Sequence, residues 1–239
     1  MFLNLDEEEK SRISKIDQKL AVLTLTFGNN LLAETNSFRL VIEDEADLAG
    51  LPESVRSAAA DAAKAAGMEG KWVFTLHKPS WIPFLQYAEN RDLREEIYRA
   101  MFMRSNNGNE YDNNKLITEI LELRIERANL LGYDTHAAYV LEERMSKKAG
   151  NVYELLMQVW NPALAKAKEE ASMMQNMIDQ DGGDFQLASW DWWYYAEKIR
   201  KEKYALDEEE VRAYLNLEDV RGGVFDVVNQ LFGLTFDPR

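Results

Sequence analysis

Apolar residues in the first segment recur every three or four positions, at Ile13, Ile16, Leu20, Leu23, Phe27 and Leu31. That spacing places them on one face of a long helix. Asp6 followed by Glu9 is a capping-box pattern at its start, and acids there suit the positive end of the helix dipole. The rhythm then changes to period two. Phe38, Leu40 and Ile42 alternate with Arg39 and Val41, and Trp72, Phe74 and Leu76 alternate with Val73 and Thr75. The alternation predicts two short strands able to pair, within a small β-containing part over roughly 36–78. Between them, Pro52 to Ala66 is rich in alanine and closed by Gly67, the signature of a helix whose small side chains allow close approach.

From Pro79 onward the pattern is helical. Asn90 caps a helix carrying Leu93, Ile97 and Met101, and Asn106-Asn107-Gly108-Asn109 is a loop. Asp112 or Asn113 starts a helix with Leu116, Ile117, Ile120, Leu121 and Leu131, closed by Gly132. Thr135 caps a short helix reaching Met145, and a longer one runs from Val152 to Ile178, with Pro162 kinking or splitting it. Asp181-Gly182-Gly183-Asp184 is a break. Ser189 caps the next helix, and Asp207 with Glu210 makes another capping box. The last helix carries Val220, Val224, Val227 and Leu231 and stops at Gly233, after which Leu234-Thr235-Phe236 opens like a new strand. No repeat of solenoid length is present. The fold class expected is mainly α, a multi-helix lobe with a small two-stranded β element.

Composition narrows the function classes. The 239 residues suffice for a proper core, and 46% are apolar, as in an ordinary globular protein. No stretch approaches the roughly 20 uncharged apolar residues that crossing a bilayer needs, so no membrane partner is expected. The N-terminus runs from Leu5 straight into Asp6 and Glu7, unlike a secretory signal. A net charge of −14 repels a phosphate backbone and argues against nucleic acid. There are no cysteines, which removes disulfides, thiolate ligands and a thiol nucleophile, and fits a reducing compartment. A cytoplasmic location is expected, with periplasmic and lipid-anchored alternatives open.

Chemistry is sparse. The two histidines, His77 and His136, are followed by Lys78-Pro79 and Ala137-Ala138, so neither sits in an HExxH frame, and neither has a glutamate three residues upstream. Each reads as a surface or hydrogen-bonding residue. Glu119, Glu122 and Glu126 share one helix surface and have the spacing of a cation site or acid–base pair, but Lys115, Arg124 and Arg127 beside them favour a solvated charged face. No Gly-rich phosphate loop and no GxSxG elbow occur, and Gly222-Gly223 reads as close packing or a bend. The densest aromatic run is Trp190-Asp191-Trp192-Trp193-Tyr194-Tyr195-Ala196-Glu197-Lys198. Consecutive aromatics point all round a helix, so core packing is favoured for most and projection toward another lobe or a cleft for some.

That run, begun by Ser189 and continued through Arg200, Tyr204 and Asp207 to Tyr214, resembles the thimet oligopeptidase and neurolysin family of zinc peptidases, most of all its bacterial peptidyl-dipeptidase branch. Leu48-Ala49-Gly50-Leu51-Pro52, Pro79 to Arg94 with Tyr87-Ala88-Glu89-Asn90-Arg91, Tyr111-Asp112-Asn113, Leu130-Leu131-Gly132-Tyr133 and Gly223-Val224-Phe225 with Asn229-Gln230-Leu231-Phe232-Gly233 match in the same order. The resemblance implies a two-lobed, mainly helical enzyme around a deep channel that admits short peptides. It also implies zinc held by an HExxH helix and a further glutamate, with a downstream Tyr and His assisting. None of these maps onto this sequence, so no catalytic, metal or cofactor residue is carried over. The chain is expected to be an internal channel-wall and scaffold section, 1–239, inactive alone. Its expected partners are short peptides, through the parent enzyme, and the missing lobes of the same polypeptide. The alternatives are a non-enzymatic helical interaction protein and a family member whose downstream half has lost its zinc motif.

Overall fold

The computed structural model describes residues 5–205, 210–211 and 214–237. Helix α1, Glu7–Ser37, starts with the expected capping box: the Asp6 carboxylate accepts from Glu9 N–H at 2.8 Å, and the Glu9 carboxylate accepts from Asp6 N–H at 3.1 Å. Strands β1, Leu40–Ile42, and β2, Trp72–Phe74, pair antiparallel in the register Leu40↔Phe74, Val41↔Val73, Ile42↔Trp72. Helix α2, Glu53–Ala65, connects them, with Pro52 at its N-cap. Helices α3, Lys78–Tyr87, α4, Arg91–Phe102, α5, Asn114–Leu130, α6, His136–Glu142, and α7, Ala149–Gln180, follow. A 3-10 turn at Ser189–Asp191 leads into α8, Trp192–Tyr204, and α9 covers Leu217–Phe232. The fold class is mainly α, with nine α-helices and one two-stranded sheet among the described residues.

The chain forms two compact units, Met1–Tyr195 and Ala196–Arg239. In the first, Leu40, Ile42 and Phe74 of the sheet pack with Ala59 of α2, Phe84 and Leu85 of α3 and Ile97 of α4. Ala59 and Ala63 are buried, and α2 packs against β2. At Gly50, φ is +82° and a Cβ would lie 2.2 Å from the Tyr87 carbonyl oxygen, so glycine alone satisfies that crossing. A second core joins Ile16, Leu20 and Leu23 of α1 to Ile120 and Leu123 of α5. In the second unit, Gly233 ends α9 in the left-handed conformation at φ +68°, and the Phe225 and Phe236 rings stack 4.3 Å apart.

Several boundaries depart from expectation. Residues 234–236 are not a strand: they have a strand's alternation but no ladder partner, and the Leu234 carbonyl accepts from Asn229 Nδ2 at 3.0 Å instead. Pro162 does not split α7, which is one continuous helix. Helix α6 stops at Glu142, short of Met145. Ser189 opens a 3-10 turn rather than capping α8. Asp207, of the second capping box, lies outside the described residues.

Candidate functional site

Helix α4 presents Arg91, Arg94, Tyr98 and Phe102 at intervals of three and four, hence on one side. Asn90 fixes its start by accepting from Asp92 and Leu93 N–H at 3.1 and 3.2 Å. Against that side lies the 3-10 turn with Asp191, whose side chain is 0% exposed. Its Oδ1 accepts from Arg94 Nη2 at 2.9 Å, and its Oδ2 accepts from Arg91 Nη2 at 3.0 Å and from Ala188 N–H at 3.1 Å. Arg94, itself 2% exposed, also donates to the Ala88 and Glu89 carbonyls at 2.8 and 3.0 Å.

The aromatic run surrounds this node. The Arg94 guanidinium lies 4.2 Å from the Tyr194 ring centre, and Arg99 and Arg91 lie 4.9 and 5.4 Å from Trp190. Trp193 sits edge-on to Trp81 at 5.8 Å and also meets Tyr98 and Phe102. Trp190, Trp193 and Tyr194 are therefore engaged by α3 and α4 and are half-buried, and Tyr195 is buried. Chemically the node is a lock. Asp191 is closed to solvent and accepts from two guanidinium groups and a backbone N–H, so its carboxylate is engaged in holding the turn to α4.

A second polar anchor was not legible in the sequence. The Glu34 carboxylate, near the end of α1, accepts from Ser105 N–H and from the Asn107 and Asn109 side chains at 2.7 and 2.8 Å. Burial alone would raise the Glu34 pKa, but these three hydrogen bonds to the charged form outweigh it and hold the group below its ordinary value. Asn113 starts α5 but does not cap it. Its amide donates to the Phe27 carbonyl at 3.1 Å and accepts from Asn30 at 3.0 Å, tying α5 to α1.

Two of the three glutamates of α5, Glu119 and Glu126, pair with α1, and Glu122 is exposed. Glu126 accepts from Arg12 Nε and Nη2 at 2.5 and 2.8 Å, Glu119 pairs with Lys19, and Arg127 donates to Asp17 at 2.6 Å. The charged face is thus partly wet, with Glu119 and Glu126 also paired across to α1. His77 is exposed at the head of α3, and His136 is half-buried on α6. The zinc that the family resemblance implies finds no fit here: among the described residues, no three His, Asp or Glu side chains are grouped to hold a metal.

Residues 84–239 match peptidase family M3, and the chain belongs to that family. It is 36% identical over 236 residues to the oligopeptidase A of Haemophilus influenzae, covering 97% of this chain and 34% of that protein. The organellar (chloroplastic/mitochondrial) oligopeptidase A of Arabidopsis thaliana is 35% identical, with 98% of this chain and 30% of that protein covered. The dipeptidyl carboxypeptidase of Salmonella typhimurium is 34% identical, with 98% and 35% covered. The chain thus spans about a third of the length of these curated relatives. The matched region contains the Asp191 lock.

Proposed function

We propose that residues 1–239 form a helical channel-wall and scaffold section of a zinc-dependent peptidyl-dipeptidase or oligopeptidase acting on short peptides, and that the section alone is inactive. The observation that carries this reading is the unequal coverage: relatives named as peptidases align with 97% of this chain but only 34% of their own length. The donor chemistry supports it. The chain has two histidines far apart in sequence, and among the described residues no three His, Asp or Glu side chains are grouped to hold a metal, which suits a section that does not carry the zinc. The lock built by Arg91, Arg94 and Asp191 suits a wall, because it fixes α4 against the 3-10 turn without offering a reactive group. Absent lobes of the same polypeptide are the partners proposed for the exposed apolar side chains of α7 and α9. No nucleic acid or membrane is proposed as a partner: the charge is −14, and no helix among the described residues is long and apolar enough to cross a bilayer. The absence of cysteine supports a reducing, cytoplasmic setting.

The test of inactivity is a hydrolysis assay of the purified 239-residue chain on a fluorogenic short peptide, with zinc added. No chelator-sensitive cleavage is expected. Cleavage that elutes with the chain, is abolished by a chelator and returns with zinc would contradict the reading.

A further inference from the structure

The α1–α5 groove holds a feature that neither the ion-pair row nor the peptidase reading accounts for. A surface depression there is lined by Arg124 and Arg127 of α5 and by Asp17, Leu20, Thr24 and Leu25 of α1, among others. Arg124 is half-buried yet has no hydrogen-bond or ion-pair partner among the described residues, in a chain with 42 acids to 28 bases. Arg127 is 22% exposed at its side chain, and its Nη1 is given to Asp17, but its Nε is shut off from solvent with no acceptor. Close by on α6, His136 also has a buried, unpartnered Nδ1. Arg124 is thus a cation without a protein counter-ion among the described residues, beside an Arg127 whose counter-ion is Asp17.

We propose that this depression binds a carboxylate carried on an apolar residue, gripped by the guanidinium groups of Arg124 and Arg127. Guanidinium forks match a carboxylate's two oxygens. Asp17 on the same wall offsets one of the two cations, leaving charge for a monoanion and a penalty for a dianion such as phosphate. Leu20 and Leu25 supply the apolar floor for the rest of the ligand. His136 is the built-in reporter: burial first, then Arg124 and Arg127, hold its pKa below the ordinary value, and a bound carboxylate relieves the last two causes. The inference is independent of catalysis and of the peptidase reading.

The test follows both histidine side chains by NMR in the 239-residue chain, with exposed His77 as internal control. N-acetylleucine is titrated at constant ionic strength, beside acetate, inorganic phosphate and N-acetylleucine amide. Expected are a saturable response at His136 but not His77, a rise in the His136 pKa toward its ordinary value, and tighter binding of N-acetylleucine than of acetate or phosphate. Acetate distinguishes a free small carboxylate from one borne on a residue. In Arg124→Gln, which removes no existing ion pair, binding is expected to weaken about tenfold. An equal response to the amide, tighter binding of phosphate, no preference over acetate, parallel movement of His77, or an unchanged affinity in Arg124→Gln would each overturn the assignment.

Discussion

Asp191 and Arg94 are both nearly inaccessible to water, so each is tolerable in the interior only because of the other. Asp191→Ala leaves a buried guanidinium without its counter-ion and is expected to lower unfolding stability by about 3–5 kcal/mol, read from urea denaturation. A loss below about 1 kcal/mol would mean that the lock is not what holds the turn to α4. Glu34 makes a pH prediction. Its folded pKa lies below its ordinary 4.5, so its contribution is complete above pH 4.5 and disappears as pH falls through the lower, folded value. Stability measured from pH 6 down to 3 should therefore fall less steeply in Glu34→Gln than in the native chain, and equal slopes would contradict the anchor. What was readable in the sequence at this scale follows from range. Asp6, Asn90 and Thr135 cap helices through partners two or three residues away, and the structure keeps all three. Asp191 and Glu34 find their partners 97 and 71 residues away, where no local pattern reaches.

Periodicity located the helices and strands because burial of one face is a repeating demand, and it failed where a local rule competes with tertiary context. Residues 234–236 alternate as a strand does, yet a strand exists only with a ladder partner, and here Phe236 stacks on Phe225 instead. Helix α6 ends early at a turn in which Lys147 takes the left-handed conformation at φ +59° and donates from its side chain to the Glu142 carbonyl. The charged face of α5 was legible as charges but not as pairs, since α1 lies about a hundred residues upstream. Its energetic weight is modest because the groups are partly wet. Reversing one member, Lys19→Glu, is expected to cost about 0.5–1 kcal/mol in thermal unfolding, and adding Glu119→Lys should restore most of it. A double variant no more stable than the single one would show that α1 and α5 are joined by their apolar seam alone.

At the scale of the whole chain, α7 carries Tyr153, Leu156, Met157, Val159 and Trp160 exposed together, an apolar surface that an isolated protein rarely presents. Trp160 is 58% exposed, whereas Trp81 is buried and Trp72, Trp190, Trp192 and Trp193 are half-buried. Acrylamide quenching of the chain's fluorescence should therefore lose its most accessible component in Trp160→Phe; an unchanged quenching curve would mean that α7 is covered in solution. The family was legible because matching segments run in the same order from Leu48 to Gly233, whereas an active centre was not, because neither histidine sits in an HExxH frame. The proposed place of these residues in a larger M3 peptidase is tested by reading the coding sequence onward in frame from the Arg239 codon. A downstream HExxH motif followed by a further glutamate ligand is expected. A stop codon, or a downstream half without that motif, would contradict it and leave a helical protein without zinc chemistry.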